Sequence, residues 1–152
     1  MRRAIIVAGV LCLVAAATGY AQEHYTEGPV WEVSHYRTAP GHFDDNMTIL
    51  RKNFLPSSEE AKKQGLILDY KVYVKTPKGA DDWDVAVATL YPSFGKALDY
   101  SKADEDKWKA IESKQYKTDD EEKQREMTEG RFTLREYLGT SYMREINLRP
   151  MP

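Results

Sequence analysis

Glu32, Ser34 and Tyr36 are three side chains capable of proton handling or hydrogen bonding, and they alternate along one short stretch of the chain. On an extended strand that spacing turns all three to one face. A glutamate raised in pKa by burial can act as a base, and a tyrosine hydroxyl can donate to a ligand oxygen. Lys71 and Tyr73 alternate in the same way farther along, and Glu145 lies in a third such stretch. Glu32, Ser34, Tyr36, Lys71, Tyr73 and Glu145 are therefore the candidate ligand contacts, with no catalytic role assigned to any of them. The plainer alternative is that Glu32 pairs with Lys71 or Arg144 across a sheet while Tyr36 packs in a subunit interface.

Other chemistries lack their residues. His24, His35 and His42 show no metal-ligand spacing such as two histidines four apart. The one cysteine, Cys12, lies in the apolar leader. Beyond it there is no disulfide, thiolate nucleophile or cysteine metal site to expect. Ser57, Ser58, Ser93 and Ser101 have no plausible histidine partner, and no glycine-rich phosphate loop or Gly-x-Ser-x-Gly occurs. No cofactor is expected. Lys and Arg number 22 against 24 Asp and Glu, a balance unsuited to nucleic acid, which wants a concentrated basic face. Tyr73, Trp83 and Tyr91 are candidates for an aromatic pocket wall, although aromatic residues on strands more often serve a core.

Alternation and turn signals set out the elements that must position these residues. Residues 30–38 read as a strand ending at Ala39-Pro40-Gly41. Trp31, Val33, His35 and Arg37 share the face expected to pack on helices. Phe43, Met47, Leu50 and Phe54 make one helical stripe, with Asp44 and Asp45 in the first turn. Pro56 is expected to end or kink that helix. Ser57 and Glu60 match a capping box for a second piece, which Gly65 stops. Strands follow at 66–75 and 83–91, then a short helix around Phe94 and Leu98 and a longer one over 104–115. Thr118 and Glu121 match another capping box. The charged stretch 119–129 reads as a solvated helix. It either ends at Gly130 or continues through Arg131, Leu134 and Leu138 to Gly139. Residues 142–148 form the last strand.

The order strand, helix, strand, strand, helical region, strand is that of a ferredoxin-like split β-α-β domain, an α+β fold. Four antiparallel strands carry helices on one face, and the other face is left for a second copy or a ligand. Before this single domain, 22–152, stands a leader. Arg2 and Arg3 precede the apolar run from Ala4 to Ala17, and Gly19 and Ala21 supply small residues before a cut. That is the pattern of a secretory signal peptide, 1–21. The run is shorter than the roughly 20 residues of a spanning helix. An exported protein, periplasmic or secreted, with no stable membrane anchor after cleavage near Ala21 is the expectation, and an uncleaved anchor is the alternative.

The segment Trp31-Glu32-Val33-Ser34-His35-Tyr36-Arg37-Thr38-Ala39-Pro40-Gly41 resembles the opening strand and turn of the NIPSNAP-like branch of the dimeric α+β barrel proteins. Asp84 to Tyr91 followed by Pro92-Ser93-Phe94 resembles that branch's third strand and the short helix after it. The resemblance implies a homodimer in which two four-stranded sheets close into a barrel, with the Glu32, Ser34 and Tyr36 face lining its interior. It implies either binding of a small, partly apolar molecule in the barrel cavity or cofactor-independent oxygenase-like or isomerase-like chemistry using Tyr36 and Glu32. A structural or partner-binding exported protein is the third reading. The haem-degrading relatives rely on a helix histidine. Here only His42 stands near a helix, at its extreme start, which weighs against haem chemistry.

Overall fold

The computed structural model describes residues 24–79 and 81–151. The expected signal peptide, 1–21, lies outside the described residues. The elements are β1 (Tyr25–Thr38), α1 (Phe43–Ile49), a π-helical turn (Leu50–Phe54), α2 (Leu55–Lys63), β2 (Asp69–Val74), β3 (Val85–Tyr91), α3 (Phe94–Leu98), α4 (Lys102–Tyr116), α5 (Glu121–Glu129), α6 (Arg131–Leu134) and β4 (Arg135–Leu148). The strands form one four-stranded antiparallel sheet in the order β2-β3-β1-β4. This is an α+β fold.

Pairing register assigns every strand side chain to a face, because directly opposed residues share one. Glu32 opposes Thr89 on β3 and Tyr142 on β4, and Thr89 opposes Tyr70 on β2. Val33 opposes Ala88 and Ser141, and Ala88 opposes Lys71. One face therefore carries Val30, Glu32, Ser34 and Tyr36. The other carries Trp31, Val33, His35, Lys71 and Tyr73.

The helices lie on the Glu32 side. Tyr70 and Tyr91 pack with Trp108 against a buried cluster of Ala61, Leu66, Ile67 and Ile111, which joins α2 and α4 to the sheet. The Phe54 ring meets Tyr70 edge-on at 5.6 Å, and the Tyr70 hydroxyl bonds Glu59. On the opposite face Val33, Ala86 and Ala88 are buried beneath Trp31 and Trp83, and no helix residue joins that cluster. The expected assignment of faces is thus reversed. The Trp31-Val33-His35 face does not pack on helices, and the Glu32-Ser34-Tyr36 face is not the uncovered one.

The reversal follows from β2 and β3. Register sets Val72, Val74, Val85 and Val87 beside Ser34 and Tyr36, and leaves Lys71, Tyr73, Ala86 and Ala88 beside Val33 and His35. The helices cover the side on which the neighbouring strands carry their valines, and Val30 and Val85 are fully buried there.

Pro56 neither ends nor sharply breaks the helical run, because the π-helical turn before it absorbs its missing N–H. The Lys52 carbonyl, four residues before Pro56, instead accepts from Gln115 Nε2 at 2.7 Å. Ser57 therefore caps nothing, since the helical backbone runs through it. Asp120, not Thr118, caps α5 by accepting from the Glu122 and Lys123 amides.

Gly130 ends α5, and β4 begins at Arg135, well before the expected Tyr142. Gly139 is no helix stop. It sits in β4 with φ +125°, a region reserved for glycine. There the register slips: His35 opposes Gly139 while Tyr36 opposes Tyr137, leaving Leu138 as an extra residue. The bulge turns Tyr137 and Arg135 to the helix side, where strict alternation would have put both on the other face.

A Cβ at Gly139 meets no atom within 4 Å, so its cost there is purely conformational. Gly139→Ala should destabilise the protein by about 1–3 kcal/mol, read as a lower urea midpoint at unchanged slope. A loss below about 0.5 kcal/mol, the scale of an ordinary surface change, would contradict the bulge assignment.

Candidate functional site

A row of polar side chains crosses the helix-facing side of the sheet along β1 and β4. Burial raises the Glu32 carboxyl above its ordinary range, and hydrogen bonding with the Tyr91 and Tyr142 phenols offsets part of that rise. Burial and the Glu32 charge push the Tyr91 phenol upward in turn, and Tyr142 moves the same way for the same reasons. Beside this trio, Ser34 Oγ and Thr140 Oγ1 lie 2.7 Å apart, and Tyr137 Oη reaches the same Thr140 oxygen at 2.7 Å. Tyr36 comes next. Its ring meets Tyr137 at 5.7 Å and lies under the Arg135 guanidinium at 4.0 Å. Arg135 Nη1 donates to Asn46 Oδ1 at 3.3 Å, and the buried Asn46 donates to Thr38 Oγ1 at 3.1 Å. Asp84 closes the row by accepting from the Thr38 amide and hydroxyl.

At the Tyr36 end the helix layer stands off the sheet and leaves a cleft of about 260 Å³. Tyr36 and Val87 form its floor, and Leu50, Phe54, Trp108 and Tyr116 rise around it. Leu50, Asn53 and Phe54 all come from the π-helical turn, whose wider pitch is a frequent feature of functional sites. Arg131 and Arg135 occupy the sheet end of the cleft and also line an adjoining recess of about 180 Å³ with Phe132 and Tyr137.

The expected contacts do not converge. Tyr36 lines the cleft. Ser34 lies on the same face, engaged with Thr140, and Glu32 is held by its two tyrosines. Lys71, Tyr73 and Glu145 are on the opposite face. Lys71 pairs with Asp69 at 3.3 Å, and Glu145 accepts from Trp31 Nε1 at 2.7 Å. Glu32 pairs with neither Lys71 nor Arg144, whose guanidinium bonds Glu27 instead. Tyr73, Trp83 and Tyr91 make no common wall: the Trp83 ring meets His35 at a tilt, 5.2 Å away, on the open face, while Tyr91 packs under the helices. His35 is thus an open-face residue. Among the described residues no group of three or more His, Cys, Asp or Glu is placed to hold a metal ion.

Arg131, Arg135, Trp108 and Tyr116 are the cleft residues that sequence reasoning passed over. Arg131 was visible only as a member of a helical stripe, and Arg135 reaches the cleft through a bulge that no local pattern announces. Comparison with known proteins returns no match among family models, curated proteins or solved structures.

The Glu32 environment has a signed consequence. A carboxyl whose pKa is higher folded than unfolded keeps its proton longer in the native state, so its contribution to stability falls as pH rises from about 4.5 through the folded value. The stability of wild type minus that of Glu32→Gln, from urea denaturation, should decrease between pH 4 and pH 7. A difference that stays constant or increases would contradict the burial of this carboxyl.

Proposed function

We propose that this is an exported homodimeric α+β barrel protein of the NIPSNAP-like kind that binds a small, partly apolar molecule. The ligand occupies the cleft between sheet and helices of each chain, not the barrel interior. The observation that carries the reading is the cleft itself. Aromatic and aliphatic side chains share its walls with Asn53, Ser57 and Glu112, its floor ends in Tyr36, and Arg131 and Arg135 stand at one end. A mostly apolar concavity with a few convergent polar groups is the usual form of a small-molecule site.

Strand order β2-β3-β1-β4 supports the ferredoxin-like arrangement, and the open face supports a second copy as its occupant. Tyr73 and Met143 on that face are 46% and 51% exposed. Among the described residues both sheet edges, β2 and β4, lack a further strand. Two sheets closed into eight strands would cover the open faces and the edges together. An eight-stranded barrel has an interior just wide enough for side chains to fill. Trp31, His35, Tyr73 and Trp83 from each copy supply that filling, which moves the ligand to the helix side.

Catalysis by Glu32 and Tyr36 draws less support. Tyr36 lines the cleft, but Glu32 does not.

Native mass spectrometry of the purified protein reads both halves of the proposal. Wild type should appear as a dimer carrying a small-molecule adduct. The double variant Tyr73→Glu, Met143→Glu should become a monomer that keeps the adduct. Val87→Trp, which fills the cleft floor, should leave a dimer without it. A monomeric wild type, or an adduct that survives Val87→Trp, contradicts the proposal.

A further inference from the structure

The cleft contains an electrostatic imbalance. Arg131 and Arg135 stand four residues apart across one short helical turn and border the same two adjoining hollows. Both guanidinium-bearing side chains are half-buried. Neither forms an ion pair among the described residues. Arg131 stacks beside the Phe132 ring at 5.2 Å, and Arg135 has the Tyr36 ring and a single bond to a neutral amide. Glu112 is the one carboxylate on the cleft wall among the described residues, and it pairs with neither arginine.

A partly desolvated cation is costly unless an anion or acceptors compensate it. Here two such cations lie close enough that burial, together with the Arg131 charge, depresses the Arg135 pKa. Folding brought them together through the Gly139 bulge, which requires a glycine-only backbone conformation. Elsewhere the fold pairs its charges where they meet, as in Lys75 with Asp82 at 2.6 Å and Lys62 with Asp69 at 2.9 Å.

We infer that the molecule bound in the cleft is an anion with an aromatic or apolar body, its carboxylate or similar planar oxyanion held between Arg131 and Arg135. The guanidinium fork matches a carboxylate in two-point geometry and also lies flat on aromatic rings, as Arg135 does on Tyr36. Val87, Leu50, Phe54 and Trp108 take the body. The cleft of about 260 Å³ together with the recess of about 180 Å³ suits a single-ring or fused-ring acid. This inference rests on the ligand-binding reading above and adds the sign of the ligand's charge.

Calorimetric titration with matched pairs tests it: phenylacetate, 3-phenylpropanoate and indole-3-acetate, each against its own primary amide. Acids should bind at least about tenfold more tightly than their amides, a difference of about 1.4 kcal/mol. Arg131→Met and Arg135→Met should each bring acid affinity down to that of the matching amide, and Arg135→Met should also lower the thermal midpoint because the buried Asn46 loses a donor. Arg131→Met is the safer variant, since among the described residues its guanidinium makes no hydrogen bond or ion pair that folding would miss, and its thermal midpoint should stay near wild type. Equal binding of acids and amides, or a preference that survives both variants, overturns the anion while leaving the cleft as a ligand site. No binding by any member of either series overturns both.

Discussion

Period-two alternation on β1 is the constraint on which the rest of this molecule depends. β1 pairs on both sides and is covered by helices on one face, so each of its side chains is committed to one of two environments. Trp31, Val33 and His35 go one way, and Glu32, Ser34 and Tyr36 the other. A slip of one residue would exchange the two sets. The bulge opposite His35 and Tyr36 uses that rule locally. It leaves β1 untouched and exchanges the faces of Arg135, Glu136 and Tyr137.

The two faces then acquire different roles. The helix side holds a carboxylate between phenols, a Ser-Thr-Tyr chain and an arginine on a tyrosine. Such a floor cannot be sealed by apolar packing without stranding its polar groups. The helix layer packs around Ala61, Leu66, Ile67 and Ile111, buries Val30 and Val85 fully, and leaves the cleft beside Tyr36. The other side is built from tryptophans over alanines, a surface suited to a second protein layer rather than to water.

Much of the fold was legible in the sequence because alternation and turn residues are local signals. The strands around Glu32, Tyr73 and Ala88, the acidic start of α1 and the grouping of side chains by face all follow from them. Which face meets the helices was not legible. Trp31 and Val33 look like helix-facing residues until register groups them with Lys71 and sets Val72, Val74, Val85 and Val87 on the other face. Pro56 misleads for a different reason, since the group that satisfies Lys52 is Gln115, far along the chain. Gly139 closes a plausible helical stripe in sequence and makes a bulge in space. With it, Arg135 and Tyr137 enter the site without any local pattern to mark them. Of the expected contacts, Tyr36 alone lines the cleft, because cross-strand register, which a single strand does not reveal, divides the rest.

The central claim is that one sheet face meets a second copy while the other shelters the ligand cleft. The chain's three tryptophans report on both, with Trp31 and Trp83 on the open face and Trp108 in the cleft. The most direct measurement is the set of indole N–H signals in a nitrogen-15 spectrum, followed as the protein is diluted through dissociation. The account predicts that the Trp31 and Trp83 signals move together, Trp31 carrying its bond to Glu145, while Trp108 stays in place. Movement of Trp108 with Trp31 and Trp83 unchanged would contradict it.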